Sequence, residues 1–71
     1  MNIKQLTFLV FIINKYALAT KQSVIEVYHQ FEKLQLLDNY LIIHYDVLHT
    51  LGENYLVEDL KELIALKSAK K

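Results

Sequence analysis

"YLIIHYDVLHTLGENY", residues Tyr40 to Tyr55, admits two readings, and the choice between them decides the fold class. Its β-branched and aromatic start suits a strand. Helical spacing fits better, because Leu41, Tyr45 and Leu48 fall in line while Asp46 and Thr50 fall opposite. Gly52, the single glycine of the chain, stands just past the last periodic residue, where a left-handed conformation closes a helix end at least steric cost. The stretch therefore reads as a helix over about 39–51, a glycine cap at Gly52, and a turn, "GENY", into a further helix. Asp46 and His49, one turn apart, are expected to brace this joint as a local pair. His49 would also face the negative end of the helix dipole.

The same logic extends outward. No proline and one glycine leave few sites for tight β-turns, which argues against an all-β fold. The expected architecture is all-α: four helices at about 3–18, 24–35, 39–51 and 56–67 in a small orthogonal or bundle-like array, forming one helical domain over 1–71. The first helix is apolar nearly all round. Leu6, Leu9, Val10, Ile13, Tyr16 and Ala17 share one broad face, with Lys4, Thr7, Asn14 and Lys15 as a polar wedge. Phe11 falls inside that wedge and Phe8 at its margin. The second helix opens on "SVIE", where Ser23 and Glu26 have capping-box spacing. Val24, Val27, Tyr28, Phe31, Leu34 and Gln35 line its apolar side. Asp38 can cap the third helix, and Glu58 and Asp59 lie in the first turn of the fourth, where the dipole favours acids. Leu56, Leu60, Leu63, Ile64 and Leu66 are that helix's expected buried residues. The closing "KSAKK" reads as a frayed, solvated helix end.

Composition narrows the function. A 71-residue chain makes one domain at most and buries only about 60% of its unfolded surface. Cysteine is absent, which excludes disulfides and thiolate metal sites. The chain is 54% hydrophobic, above the roughly 45–50% of ordinary domains, so some apolar surface is expected at an interface. Eight lysines balance eight acids and arginine is missing, which weakens electrostatic binding to nucleic acid or anionic lipid. "MNIK", "LTFLVFII" and "ALA" follow the order of a secretory leader, but "NKY" interrupts the run, and the segment is read as the first helix. It is too short for a membrane span, which needs about 20 apolar residues, and a cytoplasmic location is expected.

The polar residues offer little chemistry. His44 and His49 are five apart and cannot share an ion from one regular helix, and His29 sits among charges on another. His44 reads as a buried or boundary histidine beside Tyr40, Leu48 and Leu51. Asp59 points between Leu63 and Leu66, where it can accept from the helix start, His49 or Thr50. Ser23 serves better as a cap than as a nucleophile, and one glycine cannot cradle a phosphate. No catalytic residue, metal or cofactor is expected.

"YDVLHTLGENYLVEDL" (Tyr45–Leu60), with the earlier "VIEVYHQFEK" and the apolar first helix in order, resembles a family of short bacterial proteins known as domain of unknown function 3791. The resemblance covers nearly the whole chain. It implies an all-helical fold, no established activity, and an accessory protein encoded beside a second one, sometimes in arrangements like toxin–antitoxin pairs. Tyr45, Asp46, His49, Gly52, Tyr55 and Asp59 form its hinge motif, either as a structural joint or as a docking surface for a partner. The expected function is a protein–protein interaction module, either a homo-oligomer or bound to a co-encoded protein. Phe8, Leu9, Phe11 and Ile12 of the first helix are the candidate contact residues. The alternative is a helix-turn-helix nucleic-acid-binding regulator, for which the third helix offers only Asp46, His49 and Thr50 outward. A small apolar ligand between the helices is a further possibility.

Overall fold

A computed structural model describes residues 2–69 and is all-helical across them: α1 (Ile3–Thr20), α2 (Val24–Lys33), a π-helical turn (Leu37–Ile42), α3 (Tyr45–Leu48) and α4 (Glu53–Ala69). Lys70 and Lys71 of the "KSAKK" end lie outside the described residues. Three of the four expected helices are present with shifted ends, and the third is split into the π turn and the short α3.

α1 is the axis of the fold. Asn2 caps it: the side chain accepts from Gln5 N–H at 2.8 Å, and Gln5 Oε1 accepts from Asn2 N–H at 3.1 Å. This capping box was not anticipated, although Asn2 and Gln5 have the required spacing. Phe8, Leu9, Ile12, Ile13, Tyr16 and Ala17 are buried. α1 packs on α2, on α4 and on the π turn, so the broad apolar stripe has three neighbours to cover it. That arrangement corrects the expected contact surface: Phe8, Leu9 and Ile12 belong to the core, Ile12 with no exposed surface at all. Only Phe11 of the four stays outside, 43% exposed.

Lys21, with φ 57°, ends α1 in the left-handed conformation. Its N–H reaches Leu18 O, and Gln22 N–H reaches Ala17 O at 2.9 Å, which closes a Schellman motif. After one further residue, Ser23 and Glu26 cap α2 reciprocally, both bonds at 3.0 Å, as the "SVIE" spacing predicts. Val27 and Phe31 are buried, and Phe31 meets Tyr16 edge-on at 5.2 Å between ring centroids. Val24 and Tyr28, expected inward, remain 44% and 41% exposed.

The third element departs furthest from expectation. Gln35 turns left-handed (φ 58°) and stops α2, and the chain then closes a wide turn over Leu37–Ile42. Bonding from i to i+5 brings residues four and five apart into line. Leu36 and Leu41 are thereby fully buried, with Leu37, Tyr40 and Tyr45 half-buried beside them. In a regular α-helix Leu36 and Leu41 would lie about 140° apart, and one of the two would turn outward. α3 is then a single turn, too short to serve as the recognition helix of a helix-turn-helix protein.

Gly52 also differs from expectation. No glycine has positive φ; the left-handed positions belong to Lys21 and Gln35. Gly52 O accepts from Leu56 N–H at 3.1 Å, so the glycine precedes α4 as its N-cap, and α4 begins at Glu53. Leu56, Val57, Leu60 and Ile64 of α4 are buried, Leu63 is half-buried, and Leu66 is 61% exposed.

A left-handed non-glycine residue costs about 1–2 kcal/mol. Gln35→Gly is therefore expected to raise stability by about 0.5–1 kcal/mol, after the added unfolded-state entropy is counted. A Cβ at Gly52 would meet nothing within 4 Å, so Gly52→Ser should be tolerated or stabilising by a few tenths of a kcal/mol. Urea denaturation of both variants checks the pair, and a loss of stability in Gln35→Gly would contradict the assigned backbone.

Candidate interaction surface

Two regions could carry function: the hinge motif, and the face where α1 meets α2.

The hinge motif is held together as structure. The Tyr45 ring meets Phe8 of α1 edge-on at 5.5 Å and stacks on His49 at 4.5 Å, with 9° between planes. His49 Nδ1 lies 2.7 Å from Tyr45 O, so this nitrogen carries the proton and donates to the carbonyl. That bond replaces the expected Asp46–His49 pair, which does not form; Asp46 is exposed. Thr50 Oγ1 donates to Val47 O at 2.7 Å, finishing the turn before Gly52. His44, expected at a buried boundary, is exposed and touches Tyr40 edge-on at 5.6 Å. The break after the π turn sets it outward.

Asp59 has a partner that spacing alone did not supply. The Tyr40 hydroxyl donates to Asp59 Oδ2 across 19 residues of chain, joining the π turn to α4. Burial first, then the hydrogen bond and negative charge of Asp59 together with the nearby Tyr55 phenol, push the Tyr40 hydroxyl up to about 12. Tyr55 itself is 62% exposed. Among the described residues, no three His, Asp or Glu side chains converge where a metal ion could sit.

The second region is apolar. Leu6 and Val10 of α1 and Val24, Ile25 and Tyr28 of α2 are 41–69% exposed on one side of the helix pair. Between them runs a groove with two depressions, of about 560 Å³ and 350 Å³, that share Val10, Ile13 and Tyr28 as their common floor. The larger ends at Glu32 and Asp38, and the smaller at Val24 and Asn14. The Tyr28 hydroxyl leans toward Glu32 at 3.4 Å, and His29 Nδ1 lies 3.9 Å from the same carboxylate. Phe11 faces a different flank, where the Lys15 ammonium sits 5.7 Å above its ring and pairs with Glu53 at 3.3 Å. Helical periodicity put Leu6 and Val10 on the broad apolar face; what it missed was that neighbours cover only part of that face.

These features define a small all-helical domain with an unpartnered apolar groove and a braced hinge. The match to the family model for protein of unknown function DUF3791 spans residues 7–67, and the chain belongs to that family. Comparison with curated proteins and with solved structures gives no match. No helix among the described residues is long and apolar enough to cross a membrane.

The hinge bond yields a pH prediction. Tyr40 holds its proton more tightly in the folded chain than the ordinary phenol near 10. Its contribution is therefore full below pH 10 and is lost as pH rises toward 12. Tyr40→Phe should reduce that alkaline loss of stability, leaving the part that comes from buried Tyr16, and cost about 1 kcal/mol at neutral pH through the unpaired Asp59. Urea midpoints measured across this range check it; an alkaline slope unchanged in Tyr40→Phe would refute the linkage.

Proposed function

We propose that this protein is a small helical interaction module that works by presenting the α1–α2 groove to another protein chain. The observation that carries the reading is the groove itself: five large apolar side chains left 41–69% exposed on one continuous side of a 71-residue chain. Isolated exposed apolar residues are ordinary, whereas a contiguous apolar patch marks an interaction site. The occupant is a second copy of the chain or a protein encoded beside it, the latter in an antitoxin-like role. The module binds and does not catalyse, and it acts in the cytoplasm. The expected contact surface moves accordingly from Phe8, Leu9 and Ile12 to Val10, Ile25 and Tyr28.

Ile25 is 69% exposed, so Ile25→Glu should leave the helical circular dichroism signal unchanged. In capture from native host cells, the tagged wild-type chain is expected to retain a defined protein, its own untagged copy or another, that Ile25→Glu loses. Phe11→Glu, on the other flank, should retain it. A set of captured proteins identical for wild type and Ile25→Glu would refute the reading.

A further inference from the structure

The groove is built so that it can be filled by itself. We propose that its occupant is a second copy of this chain, docked about a two-fold axis passing near Val10 and Tyr28, with the two α2 helices antiparallel. This inference rests on the interaction reading and specifies its partner and geometry.

The first argument is placement. A two-fold contact uses one patch twice, so the patch must be self-complementary about its centre. Val10, Ile13 and Tyr28 floor both depressions and thus mark the centre. A rotation there lays the larger depression of one copy over the smaller one of the other. Val24 and Ile25, which rim the smaller, then face the roomier larger cavity.

Charge selects the orientation. The groove's far end carries the carboxylates of Glu32 and Asp38. Its other end leads to the α1–α2 turn, where Lys21 is exposed and makes no ion pair among the described residues. Glu26 and Lys33 lie around α2 from Tyr28, at about 160° and 140° by helical spacing, and stay outside the contact. An antiparallel docking sets each copy's Glu32 and Asp38 against the other's Lys21. A parallel docking would set acids on acids, which interfaces avoid.

Nothing global opposes the association. The chain's formal net charge is zero, so two copies meet without mutual repulsion. The body measures 31 × 23 × 21 Å, so a standard contact of roughly 800 Å² per partner would take in most of the broad face, the groove and its rims together.

Sedimentation equilibrium of the full chain, from micromolar to sub-millimolar concentration, tests the proposal. Wild type is expected to dimerise, and Val10→Glu to weaken the dimer about 30-fold, as a charge does at an interface centre. Lys21→Glu and Glu32→Lys should each weaken it about two- to five-fold, and their combination should restore it. Both side chains are exposed, so the fold is expected to hold, and the helical circular dichroism signal of each variant checks it. Because the chain has no cysteine, Val10→Cys should give a single oxidised dimer, and Leu66→Cys none. A wild type that stays monomeric, a dimer indifferent to Val10→Glu, or a double reversal no better than either single one would each overturn the proposal. A monomer that still captures another protein through Ile25 would overturn only the two-fold dimer and leave the interaction reading intact.

Discussion

The fold depends on the burial of α1. Among the described residues, that helix supplies six of the fifteen buried hydrophobic residues of the core, and the other long elements each cover a part of it. α2 closes one side through Val27 and Phe31, with the Tyr16–Phe31 ring contact as the clearest link. α4 closes another through Leu56, Val57, Leu60 and Ile64. Leu41 of the π turn and Leu36, the residue before it, fill what remains. Burying each large apolar side chain is worth about 1.5–3 kcal/mol, and a chain without cysteine has no disulfide to add. Hydrophobic coverage of one helix is therefore the main support of the native state.

That coverage is uneven, and the unevenness is where function becomes visible. α2 covers one flank of α1 and leaves the adjoining side open. Leu6 and Val10 stay outside there, and α2 contributes Val24, Ile25 and Tyr28 to the same side. By contrast, the polar residues of the hinge motif are largely spent on holding the joint. Tyr45 braces α3 against α1, His49 closes onto Tyr45, and Asp59 receives the Tyr40 hydroxyl. A motif that looks chemical in sequence is thus absorbed by the turn it builds, while the groove lies in the segments before it.

The π turn shows why the joint needs so many specific contacts. Left-handed Gln35 and the wide turn after it are costly backbone states, and they persist because Leu36 and Leu41 are completely buried as a result. Tertiary packing offsets a local conformational cost that no α-helical propensity would choose. The Tyr40–Asp59 bond then ties that turn to α4, beside the core that both elements share.

Residue order by itself determined much here. The absence of proline and the helical periodicity excluded a β fold; Ser23 with Glu26 marked the start of α2; and "YDVLHTLGENYLVEDL" pointed to the family. These are local properties, set by spacings of three and four residues that need no partner elsewhere in the chain. Tertiary structure decided the rest. Gly52 was expected left-handed because glycine bears that conformation most easily, yet packing assigned it to Lys21 and Gln35. Asp59 found Tyr40, nineteen residues away, which no periodic pattern encodes. Periodicity showed that α1 was apolar on most sides, but which sides stay open depends on the length and crossing of its neighbours. That is a property of three helices together, and only their assembly separates the buried Phe8, Leu9 and Ile12 from the exposed Val10.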